Sequence, residues 1–282
     1  IDSSTNNFGI TRNGNATQGS FSPFSRADGY WSNYFNGSSD YLTVPNSANL
    51  QFGTSTDFTF EGWFYLNTVA GDTNYRTIIS TYDNRISPTG VIIGLYTTGT
   101  PVFQAYINGT SINSTTTLQV GTWYNFAFTR QGSTFYLFLN GVLQGTASGS
   151  VTGDNTVNWT IGKVTYASQN GYFNGYISNL RVLKGTALYT SNYTVSTTPL
   201  TAIANTVLLT CQSNRFVDNS TVAAAISVGG GSPSVQTFSP LEPTTAYSAS
   251  TNGGSGYYGG VNGDNLSITN NSAFDLSTNN FT

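Results

Sequence analysis

The sequence predicts an all-β protein, a jelly-roll-like β-sandwich of two antiparallel sheets. Many short segments alternate apolar and polar residues with a period of two, as half-buried strands do. Turn residues (Gly, Asn, Asp and Ser) separate these segments. Aromatic residues make up 14% of the 282 residues and charged residues only 7%. The chain therefore has enough apolar surface for a large core.

The strand-like segments follow one another along the chain. Segment 57–66, DFTFEGWFYL, places Phe58, Phe60 and Phe64 on one face and Glu61 and Trp63 on the other. Segments 122–130 and 134–141 are joined by Gln-Gly-Ser and predict a hairpin. Only 185–193 could hold a helical turn. The other predicted strands are 76–82, 90–96, 101–109, 158–163, 172–183 and a last one that contains Cys211, a buried small residue.

Phrases from the start of the chain return near its end in the same order. IDSST at 1–5 returns as VDNST at 217–221, and FSP at 21–23 returns at 238–240. DYLTVPNSA, starting at Asp40, returns as DNLSITNNSA, starting at Asp264. A period of roughly 220 residues is that of a whole domain. We expect a tandem repeat in a piece of a longer protein. Residues 1–216 would be a complete unit, and 217–282 a linker and the N-terminal part of a second, truncated copy.

The composition argues against several functions. Nine Lys and Arg residues and a net charge of −3 leave no basic surface for nucleic acid. No apolar run approaches the length of a membrane helix. Histidine is absent and cysteine occurs once, which removes the usual triads and nucleophile–base pairs. We therefore expect no catalysis, no nucleic-acid partner and no membrane insertion.

Three ordered stretches carry a resemblance to a known family. They are YFNGSSDYLTVPNSANLQFGTSTDFTFEGWFYL, GTWYNFAFTRQGSTFYLFLNGVLQG, and IGK followed by GYFNGYISNLRVLKGTALYT. Over about residues 1–212 the chain resembles a laminin-G-like domain of the concanavalin A-like lectin/glucanase superfamily. Residues 183–221 resemble the repeated units of long bacteriophage structural proteins. Glucan-hydrolysing members of the superfamily use a Glu-x-Asp-x-x-Glu strand. This chain has no such motif, and its only glutamates are Glu61 and Glu242.

The resemblance implies a non-catalytic structural or adhesive virion protein built of tandem concanavalin A-like domains. It would be a phage fibre, tail or capsid-decorating component, located on the virion surface or otherwise extracellular. Its partners would be other virion proteins, copies of itself and host surface glycans. Two alternatives stay open at this point: a bacterial cell-surface adhesin or carbohydrate-binding module, and a spacer that binds no glycan.

The carbohydrate-binding residues expected are Glu61, Trp63, Tyr65 and Arg130. Glu61 shares a strand face with Trp63 and Tyr65, where a carboxylate could hydrogen-bond sugar hydroxyls and rings could stack on sugars. The alternative is structural: Glu61 would pair with an arginine such as Arg130, and most tryptophans would belong to the core or its rim.

No cofactor is required by the sequence, but it allows one structural calcium ion. Loops with Asp and Asn in flexible backbone supply the oxygen ligands that Ca²⁺ prefers. The candidate ligands are Asp40, Asp72 and Asp83. The same residues also form ordinary turns, so this alternative stays open.

Overall fold

A computed structural model describes residues 10–13, 17–19, 27–68, 75–82, 90–97, 100–150, 157–166, 169–241, 255–257 and 265–268. The chain divides into two compact units. One comprises residues 27–242, and the other comprises residues 1–26 with 243–282.

The described elements are almost all strands, as the alternating pattern predicts. In chain order they are β1 (Ile10–Asn13), β2 (Thr17–Gly19), β3 (Ser32–Asn36), β4 (Tyr41–Val44), the 3₁₀-helix η1 (Ala48–Leu50), β5 (Phe58–Leu66), β6 (Tyr75–Ser80), β7 (Val91–Tyr96), β8 (Val102–Ile107), β9 (Thr110–Asn113), β10 (Trp123–Gln131), β11 (Thr134–Leu139), β12 (Val142–Ser148), β13 (Trp159–Ile161), β14 (Thr165–Tyr166), β15 (Gln169–Asn170), β16 (Asn174–Lys184), β17 (Thr206–Thr210), β18 (Ser227–Gly230), β19 (Ser234–Gln236), β20 (Ser255–Tyr257) and β21 (Asn265–Ile268).

Unit 27–242 is a sandwich of two antiparallel sheets. In the described residues, one sheet has the order β12-β11-β10-β5-β16-β3-β19, with β17 also pairing with β16. The other has the order β18-β4-β13-β6-β7-β8-β9. The hairpin predicted from 122–141 is present as β10 and β11. These pairings confirm the prediction of an all-β, jelly-roll-like sandwich.

The core lies between the sheets and is rich in phenylalanine. Phe58, Phe60 and Phe64 point inward from β5 and are fully buried, as the period of two requires. On β10, Phe128 is the cross-strand partner of Phe60 and Phe126 that of Gly62, and both are equally buried. Ring pairs with centroids 5–7 Å apart add specific aromatic contacts to the burial of apolar area.

The C-terminal edge of the sandwich is built from residues that the sequence assigned to a linker and a second copy. Strand β18 pairs with β4 at the edge of one sheet, and β19 pairs with β3 at the edge of the other. Residues 217–241 therefore belong to the compact unit that begins at residue 27. The tandem repetition itself stays a prediction.

Segment 185–193 contains no helical turn, contrary to the sequence prediction. It has irregular backbone and belongs to the connection 185–205 between β16 and β17. We call this connection the strap. The described residues also include no helix long and apolar enough to cross a membrane.

Candidate functional site

Glu61 lies on the outer face of the eight-stranded sheet, but it is only 2% exposed. Its Oε1 accepts hydrogen bonds from Nε and Nη2 of Arg181 at 2.9 and 2.7 Å, and its Oε2 accepts one from the Tyr189 hydroxyl at 3.0 Å. The partner is thus Arg181 on β16, which corrects the expectation of Arg130. Burial raises the pKa of Glu61, and the attraction of Arg181 offsets part of that rise. Both carboxylate oxygens are engaged beneath the strap, so Glu61 is not part of an accessible surface.

The strap is held on the outer face by two stacked tyrosines. The rings of Tyr189 and Tyr193 lie 3.7 Å apart, and both make edge contacts with Phe138 of β11. The Tyr193 hydroxyl donates to Asn125 Oδ1 at 2.6 Å, and its backbone N–H donates to Gly141 O at 2.9 Å. Burial raises the pKa of both tyrosine hydroxyls. The strap therefore covers the part of the outer face where Glu61 lies.

Trp63 and Arg130, two further predicted site residues, are also buried. Trp63 is 5% exposed and packs with Leu200, Leu209 and Leu241 in a cluster outside the main core. Arg130 is 4% exposed and donates to the carbonyls of Thr56 and Thr54 at 2.7 and 2.9 Å. The structure therefore does not bring Glu61, Trp63, Tyr65 and Arg130 together as one site.

Asp40, the described candidate for a calcium ligand, has a structural role. Its Oδ2 accepts from the backbone N–H of Asn36 at 3.1 Å, and its Oδ1 accepts from that of Ser232 at 2.8 Å. Asp72 and Asp83 lie outside the described residues. Within the described ranges, no three Asp, Glu, His or Cys side chains are grouped as a metal site would require. The calcium ion stays a prediction.

Four aromatic side chains form one row across the outer face, beyond the strap. They come from adjacent strands: Tyr34 on β3, Tyr176 on β16, Tyr65 on β5 and Trp123 on β10. Each is the direct cross-strand partner of the next. Successive ring centroids are 5.1, 5.7 and 5.5 Å apart. Because hydrogen-bonded strands lie about 4.8 Å apart, the row extends about 14 Å across the sheet.

Phe238 lies against this row and is 42% exposed. Its ring centroid is 4.8 Å from that of Tyr65, 4.9 Å from Tyr176 and 5.4 Å from Trp123. The four rings of the row are half-buried. We call Tyr34, Tyr176, Tyr65, Trp123 and Phe238 the aromatic row. The predicted site residue Tyr65 is a member of it.

Among the residues that the structure describes, the positions beside the aromatic row are uncharged. Cross-strand register places three asparagines next to it on one side, and Asn67 Nδ2 donates to Asn174 Oδ1 at 3.2 Å. Burial raises the pKa of Tyr176, with smaller contributions from Tyr34 and Tyr65, so its hydroxyl is neutral at physiological pH. The neighbouring positions on the same face are Asn36, Asn174 and Asn67 on one side, and Ser32, Ser178, Trp63 and Asn125 on the other.

Sequence reasoning missed Tyr34, Tyr176 and Phe238 as members of a surface, and took Trp123 for core or rim. The strands of Tyr176 and Trp123 are visible in the pattern, but Tyr34 lies on the short β3, Phe238 lies beyond the end of β19, and the alignment of the row depends on three separate cross-strand registers. The one available signal was the repeated phrase FSP, whose second copy contains Phe238.

Comparison with known proteins places the chain in a family. A family model described as the concanavalin A-like lectin/glucanases superfamily matches residues 36–192, more than half of the chain. The chain belongs to this superfamily. The matched range contains β4 to β16 and most of the aromatic row. No curated protein matches the chain.

Several solved structures are similar to the chain at low sequence identity. A "putative carbohydrate binding protein" from Bacteroides ovatus matches with a TM-score of 0.55 and 16% identity, over 75% of this chain and 61% of that one. A heptameric SAP-like pentraxin from Limulus polyphemus matches with a TM-score of 0.49 and 14% identity, over 73% and 94%. The carbohydrate binding module CBM66 from Bacillus subtilis matches with a TM-score of 0.31 and 17% identity, over 64% and 98%. The likeness to the Bacteroides ovatus protein, the one of these three with a TM-score above 0.5, shows the shared fold.

Proposed function

We propose that unit 27–242 is a non-catalytic carbohydrate-binding domain and that the aromatic row is its binding surface. The observation that carries the proposal is the alignment of four half-buried rings across four adjacent strands, with the exposed Phe238 beside them. Sugars present apolar C–H faces that stack on aromatic rings. Superfamily membership and the likeness to a carbohydrate binding protein support the same class of ligand.

The chemistry of the surface favours a neutral glycan. The row and the described positions beside it offer hydroxyl and amide groups, which hydrogen-bond sugar hydroxyls, and no charged group that would recognise a sulfate or carboxylate. The length of the row, about 14 Å, suits several sugar rings laid across the strands.

We further propose that the protein acts at an extracellular or virion surface, as a fibre, tail or capsid-decorating component of a phage. This rests on the resemblance of residues 183–221 to phage structural repeats. A bacterial surface adhesin built from the same domain is the alternative. In either setting, several copies on one polypeptide would raise a weak affinity through effective concentration.

The test is binding of the protein to an array of microbial and host-surface glycans, followed by titration calorimetry of each hit. The variants are Tyr65→Ala and Tyr176→Ala, which remove central rings of the row. The matched control is Tyr96→Ala, a half-buried tyrosine on the other sheet that contacts Tyr75. We expect each row variant to weaken binding about tenfold or more, and the control to leave it unchanged.

Two outcomes would count against the proposal. If the wild-type protein binds no glycan on the array, the domain is better explained as a spacer. If it binds but the row variants and Tyr96→Ala bind equally well, the surface lies elsewhere on the domain.

A further inference from the structure

The segment that completes the sandwich adds one edge strand to each sheet. We call residues 217–242 the closing segment. Its β18 pairs with β4, and its β19 pairs with β3. The strands that receive them, β3 and β4, are the opening strands of the unit. Without the closing segment, both opening strands would present unpaired backbone N–H and C=O groups at a sheet edge.

A few polar contacts anchor the closing segment at its start. Asp218 Oδ1 accepts from the backbone N–H groups of Leu209 and Ser220, both at 2.9 Å. Its Oδ2 accepts from the Ser220 hydroxyl and the Ala224 N–H, both at 2.8 Å. An Asp-x-Ser motif therefore fixes the turn that leads the chain from β17 toward β18.

The end of the closing segment is anchored by the FSP phrase. The Phe238 carbonyl accepts a hydrogen bond from the Ser32 hydroxyl on β3, and the Ser239 hydroxyl accepts one from the Leu241 N–H at 3.3 Å. Leu241 is 5% exposed and packs in the Trp63 cluster.

Residues 1–26 carry the same anchoring residues in the same order. Asp2-Ser3-Ser4 corresponds to Asp218-Asn219-Ser220, and Phe21-Ser22-Pro23 corresponds to Phe238-Ser239-Pro240. The apolar Phe24 follows Pro23, just as Leu241 follows Pro240. In the same way, residues 243–282 repeat the opening strands: SGY at 255–257 corresponds to SNY at 32–34, and DNLSI at 264–268 to DYLTV at 40–44.

The backbone pairings of the two units agree with this correspondence. In the sandwich, β19 pairs with β3 as Ser234↔Tyr34, Val235↔Asn33 and Gln236↔Ser32. In the other unit, β2 pairs with β20 as Thr17↔Tyr257, Gln18↔Gly256 and Gly19↔Ser255, which are the corresponding positions.

The pairing of β1 with β21 agrees with the pairing of β18 with β4 at one end only. Asn13↔Asn265 in β1 and β21 corresponds to Gly230↔Tyr41 in β18 and β4. The registers then differ by one residue, because β18 has a bulge between Val228 and Gly230.

We propose that residues 1–26 are a second closing segment and that their partner is the pair of opening strands of another copy of this unit. In this chain, residues 243–282 supply those strands. Copies would then be joined by exchanged edge strands, an arrangement that costs little because each exchanged pairing replaces an equivalent one. The interaction surface is the pair of backbone edges that the two opening strands offer to a closing segment, and the partner is a second copy of this chain.

Cysteine cross-linking in the full chain tests the pairing. Gly19 and Ser255 are direct partners of an antiparallel pair, at a separation that a disulfide spans. We expect the double variant Gly19→Cys/Ser255→Cys to cross-link within one chain. The control Gly19→Cys/Tyr257→Cys is two residues out of register and should cross-link far less. Native Cys211 is buried, and burial raises the pKa of its thiol, so it does not compete.

Exchange between copies is tested by mixing full-length Gly19→Cys chains with full-length Ser255→Cys chains in urea and reductant, refolding them together, and removing the reductant only after Cys211 is buried again. We expect mixed disulfide dimers in excess over dimers of either variant alone, in a fraction that rises with protein concentration. Absence of the intrachain cross-link would show that the segments do not pair. Intrachain cross-linking without mixed dimers at any concentration would show that they do not exchange. Either result overturns the proposal.

A chimera tests the equivalence of the two closing segments. In the full chain, residues 217–242 are replaced by a second copy of residues 1–26, which has the same length. We expect cooperative unfolding with a midpoint within a few degrees of the wild type. A scrambled version of the same replacement should lower the midpoint strongly. If the chimera is destabilised as much as the scrambled chain, residues 1–26 are not a closing segment.

Discussion

The buried pair of Glu61 and Arg181 predicts an asymmetric response to mutation. Glu61 is 2% exposed and the Arg181 side chain 7%, so neither charge is well hydrated in the folded protein. Glu61→Gln keeps the shape of the side chain but leaves the Arg181 guanidinium buried without a counter-charge. Arginine cannot lose its proton at ordinary pH, so this charge persists. We expect a loss of about 3–5 kcal/mol in the free energy of unfolding, and the variant has no carboxyl at this position whose titration would make its own stability depend on pH.

Arg181→Met instead leaves the Glu61 carboxylate buried without a counter-charge, and a carboxylate can be neutralised by taking up a proton. Burial already raises the pKa of Glu61, and loss of Arg181 raises it further. The folded state then holds a proton that the unfolded state has released, so stability falls as pH rises above the ordinary pKa of glutamate. The slope is at most about 1.4 kcal/mol per pH unit. The loss caused by Arg181→Met should therefore be about 1–3 kcal/mol smaller at pH 5 than at pH 7.

The assay is urea unfolding of wild type, Glu61→Gln and Arg181→Met at pH 5, 6 and 7, followed by fluorescence. A matched control is Lys184→Met, which lies near the end of the same strand and whose Nζ donates to an exposed carbonyl, that of Ala48. It should cost less than about 1 kcal/mol at every pH. Equal losses for the two pair variants, or the same pH dependence for both, would refute the reasoning.

Three further predictions concern the strap, its tyrosines and Asp40. Gly141 has φ +75°, and a Cβ there would lie 2.1 Å from the Tyr193 carbonyl oxygen. Gly141→Ala should therefore speed proteolysis within the strap. The control Gly132→Ala, at φ +59° with open space around the added Cβ, should not. Because the pKa values of Tyr189 and Tyr193 are raised in the folded protein, these tyrosines ionise first in the unfolded state, and stability should fall as pH rises above about 10. Tyr189→Phe should reduce the slope of this fall in alkaline denaturation curves. An unchanged slope would contradict the assignment. Asp40→Ala should lower the free energy of unfolding in urea by about 1–3 kcal/mol, because two backbone N–H groups lose their acceptor. If EDTA lowers the thermal midpoint of wild type but not of this variant, Asp40 also binds calcium.

The long strands β5, β10, β11 and β16 could be predicted from the sequence because each one carries its own alternation. For this reason Glu61, Trp63 and Tyr65 of β5 were assigned to the same, outer face. The partner of Glu61 could not be predicted, because a bulge between Ser178 and Arg181 shifts the register of β16 against β5 and brings Arg181 beside the carboxylate. The strap has no periodic pattern, so nothing in the sequence indicated that it would cover Glu61.

The aromatic row illustrates the same limit for a surface. Tyr65 was predicted from its own strand, but Tyr34 and Tyr176 join it only through two long-range registers. The predicted domain boundary at residue 216 was placed from the spacing of the repeated phrases. A repeated sequence fixes the length of a unit, however, and leaves open where along the chain each folded body begins.

The neutrality of the aromatic row has a consequence for the medium in which the protein works. Dissolved salt weakens contacts between exposed charges through screening, with a Debye length of about 8 Å at physiological ionic strength. Under the proposed function, the row would contact a glycan through rings, hydroxyls and amides, and the pair of Glu61 and Arg181 is shielded by the strap. Adhesion through this surface should therefore keep its strength from dilute buffer to brine, where recognition by charge would fail.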